Sequence, residues 1–347
     1  MTATRLEQEL GEQPDALARL LERQATNARE LGEVFHRPDI RYILIASRGS
    51  SSNAARYAQY LLGRANRVPV SFATPSLYTL YGQPPRLEGA LVIGISQSGE
   101  SPDVRAVIDE ARRQGRPTIA ITNVPGSPIA AAAEAVLLLE AGEELAVAAT
   151  KTYLNSLGAV ALLFASATDD TRAMHELELM PGRIAAQLTH STEDVASLEQ
   201  YAGLSGGTVV ARGINYGTAF EIALKIRELS GLLFEAWSAA DLMHGPVAAI
   251  APGWPVIAVA PSGPTLESMK TVIGGLADRG ARLIVIADDE GVLGQGVAPM
   301  RLVADVPEWL SPLTTVIPGQ LAALRLAQLR GSDLDRPYGL SKITLTL

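Results

Sequence analysis

Two serine-rich loops carry much of the chemistry that can be read from this chain. Ser47-Arg48-Gly49-Ser50-Ser51-Ser52-Asn53 follows an apolar run at 42–46, and Ser96-Gln97-Ser98-Gly99-Glu100-Ser101-Pro102-Asp103 follows another at 90–95. Hydroxyls and backbone N–H groups at the carboxyl end of a parallel strand, where the next helix begins, suit an anion such as a phosphate. Ser101 before Pro102 has the order of an N-cap and a first-turn residue, so the second loop is expected to run directly into a helix. Serine and glycine also make ordinary turns and caps, and one such loop alone leaves both readings open. Two at equivalent strand ends favour binding. Neither loop is a G-x-x-x-x-G-K-[ST] or G-x-G-x-x-G run, which disfavours a nucleotide cradle. Gly203-Leu204-Ser205-Gly206-Gly207 has the letters of a nucleophile elbow but precedes its strand, so it reads as a turn.

Acid-base candidates lie further along. In the helical stretch 221–229, Lys225 and Glu228 are three residues apart and share a face, and Glu221 stands four residues before Lys225. The plain alternative is a solvated ladder of ion pairs. His244 is followed by Gly245-Pro246, a pair that makes a tight turn and can present the imidazole at a cleft rim. An imidazole titrates near neutrality and suits proton shuttling, although a lone histidine before a turn can equally be structural. His36, His175, His190 and His244 show no metal-ligand spacing, so no metal is expected. Lys342, in a tail carrying Asp333, Asp335, Pro337 and Gly339, is a plain surface lysine unless the tail folds onto a site.

The elements that must position these residues follow from composition and pattern. A chain of 347 residues with 47% apolar and 19% charged residues can bury substantial cores, and two domains are expected. A net charge of −8 without a dense basic run argues against nucleic acid and leaves an anionic ligand to local donors. Cysteine is absent, which excludes disulfides, thiolate metal sites and thiol nucleophiles. The polar N-terminal stretch has no signal-peptide core and no segment reads as a membrane span, so a cytoplasmic protein is expected. After a helical segment at 4–36, which could pack on a partner subunit, short apolar runs alternate with helical stretches. Strands are predicted at 42–46, 70–73, 90–95, 118–122 and 135–139. After helical tracts at 150–165 and 169–198, a second series is predicted at 207–211, 233–237, 256–260, 282–287 and 301–304. The rhythm implies an α/β fold of two tandem doubly wound, flavodoxin-like domains, each a five-stranded parallel sheet flanked by helices. The expected division is an N-terminal helical segment at 1–36, domains at 37–168 and 199–331, linking helices at 169–198, and a tail at 332–347.

Taken together, the Ser50 loop, Ser96-Gln97-Ser98-Gly99-Glu100-Ser101, Asn123-Val124-Pro125-Gly126-Ser127, Val147-Ala148-Ala149-Thr150-Lys151, Arg212-Gly213, the 221–228 helix, His244-Gly245-Pro246 and Asp333-Leu334-Asp335-Arg336-Pro337 ahead of Lys342 resemble the SIS (sugar isomerase) family. The likeness is strongest to the isomerase portion of glucosamine-6-phosphate synthase and to SIS-type amino-sugar-phosphate deaminases. It implies that Ser50, Ser96, Gln97, Ser98 and Ser101 bind a phosphosugar and that Val147 and Ala148 line the sugar. It further implies Glu228 as the base moving a proton between C1 and C2, His244 as the ring-opening acid/base, Lys342 as a Schiff-base lysine and Lys225 as a charge partner. A homodimer with His244 shared across subunits, and no organic cofactor, go with that resemblance. Chemically, aldose–ketose interconversion needs a base, a proton donor and, for imine chemistry, a nearby cation, and Glu, His and Lys supply them.

Three positions depart from the family pattern: Arg48 stands where a small residue is usual, Met243 replaces a lysine, and Ser101 replaces a threonine. Arg48 is expected to shape substrate choice or to touch phosphate directly. Ahead of residue 41 there is no glutaminase domain, and no cysteine is present to hydrolyse glutamine, so nitrogen removal is expected over glutamine-dependent synthesis. The expected activity is isomerisation and deamination of glucosamine 6-phosphate to fructose 6-phosphate. Deglycation of a fructosamine phosphate, action on a galactosamine or tagatose phosphate, an ammonia- or partner-fed synthase subunit, and a non-catalytic phosphosugar sensor are the alternatives.

Overall fold

The structure, a computed structural model, describes residues 3–335, Gly339 and Lys342, with Asn66 described by its backbone alone. The expected motif residues Arg336 and Pro337 and most of the tail lie outside the described residues. The chain divides into two compact units, each built around one sheet.

In the first, β1 (Tyr42–Ser47), β2 (Val70–Phe72), β3 (Ala90–Ile95), β4 (Thr118–Thr122) and β5 (Ala135–Leu138) pair in parallel in the order β2-β1-β3-β4-β5. All residues of β3 and β4 are buried, the pattern of strands covered on both faces, which is why they read as unbroken apolar runs. The register Tyr42↔Ala90 to Ser47↔Ile95 brings the ends of β1 and β3 level. The chain leaves β1 toward β2 on one side and β3 toward β4 on the other, so both serine loops flank the point where strand order reverses. The Pro102–Arg113 helix closes one face by packing Val104, Val107, Ile108 and Ala111 with Leu44, Val92 and Ala120. The Gln13–Gly32 helix lays its apolar stripe against the almost wholly buried Lys151–Thr168 helix. The approach is close: a side chain at Gly158 would place Cβ 2.4 Å from Leu17 Cδ1.

The second sheet repeats the plan with β6 (Gly206–Ala211), β7 (Leu233–Ser238), β8 (Pro255–Ala260), β9 (Arg282–Ala287) and β10 (Ala298–Arg301), ordered β7-β6-β8-β9-β10. Here the last strand departs from expectation, lying at Ala298–Arg301 and not at 301–304. It is an edge strand with alternating burial, so Pro299 is tolerated and no apolar run announces it. Leu302 N–H closes the ladder on Ala287 O, and Val303 N–H leaves the sheet to donate to Gln187 Oε1 at 2.8 Å. The Tyr216–Ser230 helix packs on Ser311–Leu329, where Gly319 lets the two axes come close: a Cβ there would lie 2.2 Å from Ile222 Cγ1. Among the described residues no helix is long and apolar enough to cross a membrane.

Candidate active site

The first loop turns on Arg48 and Gly49. Arg48 is extended, Gly49 takes φ +53°, and the Gly49–Asn66 helix then begins with Ser50, Ser51 and Ser52, all partly exposed. Ser47 Oγ and Ser52 Oγ lie 3.1 Å apart across the turn. The second loop folds on itself: Gly99 N–H donates to Ser96 Oγ at 3.2 Å, and Ser96 Oγ is 3.3 Å from Ser101 Oγ. Ser101 does occupy the N-cap position with Pro102 after it, but its side chain makes no cap bond and turns toward Ser96 instead. Gln97 and Ser98 are partly exposed, and the Gln97 carbonyl accepts from Asn123 N–H at 3.0 Å. Gly99 has φ +68°, and a Cβ there would sit 2.0 Å from Ser127 Oγ, so only glycine fits. Each loop thus brings a close pair of hydroxyls and a helix N-terminus to the carboxyl end of its strand, chemistry suited to an anion.

Arg48 does not stand as an unattached donor. Its Nε and Nη2 both reach Asp103 Oδ2 at 2.6 Å, and Asp103 is fully buried, its Oδ1 accepting from Val104 N–H at 2.8 Å.

The acid-base helix is positioned by burial. Glu221 and Lys225 are 0% and 1% exposed, so they are no solvated ladder. Lys225 Nζ lies 2.5 Å from Glu228 Oε2 and 3.5 Å from Glu221 Oε1. Glu228 is 24% exposed and therefore offers the accessible carboxylate of the three-residue group. A buried ammonium between two carboxylates is held with little freedom, so it aims Glu228 as well as neutralising it. His244 closes the short Ala239–Met243 helix, its N–H on Asp241 O at 3.1 Å, and Gly245 with φ +143° turns the chain away. Its imidazole is exposed.

Val147 and Ala148 are joined by a cis peptide bond; Ala148 is buried and Val147 partly so. Lys342 Nζ lies 2.9 Å from Glu144 Oε2. Glu144, buried, also accepts from Thr150 N–H (3.0 Å), Thr152 N–H (3.1 Å) and Thr152 Oγ1 (2.7 Å), and so satisfies the amino end of the Lys151–Thr168 helix. Sequence reasoning missed Glu144 and Asp103. The one available signal was an acidic residue shortly before a helix start and another in a first turn, and neither revealed its distant basic partner.

A model of the SIS domain matches residues 39–166 and again 208–330. The chain belongs to the SIS domain family. Among curated relatives, it is 33% identical over 339 residues to a glutamine–fructose-6-phosphate aminotransferase (isomerizing) of Pyrococcus horikoshii, covering 96% of this chain and 56% of that protein. The chain thus spans somewhat over half the length of the curated relatives it matches. Among solved structures, the C-terminal domain of glucosamine-fructose-6-phosphate aminotransferase from Francisella tularensis superposes with a TM-score of 0.88 at 26% identity, covering 97% of this chain and 99% of that one. A glucosamine-6-phosphate deaminase from Thermotoga maritima shares the fold, with a TM-score of 0.80 at 22% identity and coverage of 99% and 100%. Both repeats of the SIS domain are thus present in this chain.

Proposed function

We propose that this SIS protein isomerises and deaminates an amino-sugar phosphate, converting glucosamine 6-phosphate and water to fructose 6-phosphate and ammonia. The observation that carries this reading is the 2.5 Å pair of buried Lys225 with partly exposed Glu228, a carboxylate fixed by a cation and still open to a ligand.

In this reading Ser50, Ser96, Gln97, Ser98 and Ser101 hold the phosphate, and Val147 and Ala148 line the sugar. His244 takes the proton of the anomeric hydroxyl and returns one to the ring oxygen, opening the ring. Glu228 removes the proton from C2 of the open-chain aldehyde as the substrate ammonium gives a proton to the carbonyl oxygen, and then returns the proton to C1, leaving a C1 alcohol and an iminium at C2. Lys342, released from Glu144, adds to C2 and displaces ammonia, and water then hydrolyses the lysine imine to the ketose. Lys225 offsets the charge that develops. The active form is a cytoplasmic homodimer in which each subunit lends His244 to the other, its domains at 37–168 and 199–331 with the 332–347 tail completing the site.

A second reading is the reverse reaction, ammonia addition to fructose 6-phosphate in a synthase subunit, and the name carried by the 33% identical relative favours it. Both readings are tested by incubating the protein with glucosamine 6-phosphate, and separately with fructose 6-phosphate and ammonia, and measuring ammonia, ketose and hexosamine. Ammonia and ketose release supports the first. Hexosamine formation without release supports the second, and no change in either direction sinks both.

A further inference from the structure

Arg48 and Asp103 are 55 residues apart in sequence, yet they join the loop after β1 to the first turn of the helix after β3. The acid is 0% exposed and lies two residues beyond Ser101, at the amino end of that helix. A carboxylate there suits the helix dipole but repels an anion bound by the same loop. Among the described residues, Asp103 is the acceptor that Arg48 engages, and the guanidinium is half exposed, so the charge is cancelled from the solvent side.

The second repeat supplies a control within the same chain. Arg212 follows β6 as Arg48 follows β1, with φ −141° and ψ 155° against −139° and 159°. Each arginine is followed by a glycine of positive φ, +62° at Gly213 and +53° at Gly49. Arg212 also reaches the first turn of the helix after the third strand of its sheet, but there it meets the neutral Ser268 hydroxyl. The arginine brace is thus common to both repeats, whereas the charged partner occurs only where the two serine loops are.

We propose that Arg48 is a positioning residue of the phosphosugar site: it clasps the two serine loops together and, by neutralising buried Asp103, keeps the site open to a dianionic phosphate. This deepens the functional reading above and rests on it only for the identity of the ligand.

The test compares wild type, Arg48→Met, Arg48→Lys and the double variant Arg48→Met/Asp103→Asn. Amide hydrogen exchange of residues 96–101 is read without ligand, and calorimetric binding of glucosamine 6-phosphate is read separately. Arg48→Met is expected to speed loop exchange and to weaken binding by about tenfold or more, the usual scale for truncating one partner of a close charge pair. The neutral double variant is expected to recover most of the binding, and Arg48→Lys to fall between. Should Arg48→Met fail to fold, Arg48→Lys and the double variant carry the comparison. Binding in the double variant as weak as in the single one would make the guanidinium a direct phosphate donor and overturn the proposal. Unchanged exchange in every variant would overturn the clasp. If wild type bound no phosphosugar, the functional reading would fall, while the exchange data would still decide the clasp.

Discussion

Lys225 Nζ sits 2.5 Å from Glu228 Oε2 and 3.5 Å from Glu221 Oε1, so one buried ammonium serves two carboxylates on successive turns of one helix. Its removal takes a cation from the fully enclosed Glu221, whereas removal of Glu228 leaves Lys225 still paired with Glu221. Lys225→Met is therefore expected to cost roughly 3 kcal/mol of stability in urea unfolding, and Glu228→Gln only about 1 kcal/mol. Equal losses would show that the burial does not set the energetics of this group.

Glu144 has two duties, accepting from the amino end of the Lys151–Thr168 helix and pairing with Lys342. Glu144→Gln keeps an acceptor for the backbone and drops the charge; Glu144→Ala drops both. The expected order is a loss of about 1 kcal/mol or less for the glutamine and about 2 kcal/mol for the alanine, read as denaturation midpoints. A glutamine variant as unstable as the alanine would place the energy in the ion pair and not in the helix end.

The outline of the fold was legible because most strands are buried on both faces and read as plain apolar runs. β10 was not, since an edge strand with Pro299 and alternating exposure has no such run. The loops were legible as serine and glycine at strand ends, and the acid-base group as helical spacing. What the spacing could not reveal was burial: Glu221 and Lys225 have the letters of a surface ladder, and it is the folded chain that encloses them. Asp103 with Arg48 and Glu144 with Lys342 were illegible for another reason, since each pair is assembled by the fold from distant segments.

Gly99 is held at φ +68° against Ser127. Gly99→Ala should cost about 1–3 kcal/mol and loosen the loop, weakening phosphosugar binding more than it lowers the turnover of bound substrate. Titration calorimetry beside a kcat and KM determination checks this. A drop in kcat at unchanged KM would contradict the assignment of the loop to binding.

Burial pushes the Tyr78 hydroxyl up to about 12, and that oxygen has no hydrogen-bond partner among the described residues. A group whose folded value is raised stabilises the fold below its unfolded value, near 10, and that contribution is lost as pH rises through about 12. Tyr78→Phe lacks this loss. The melting temperature of the variant should match or slightly exceed wild type at pH 8, and the gap should widen in its favour between about pH 10 and 12. A gap that narrows over that range would show the phenol to be favourably solvated as the anion.

The proposed role of Glu228 is to move a proton on an amino-sugar phosphate. Its most direct measurement is the reaction of glucosamine 6-phosphate in deuterium oxide, with ammonia release timed and C1 of the fructose 6-phosphate examined by NMR. Wild type is predicted to release ammonia and place deuterium at C1, and Glu228→Gln to lose about 10²–10⁴-fold in rate while still binding the phosphosugar. Absence of turnover in wild type, or a glutamine variant that turns over as fast, would contradict the account.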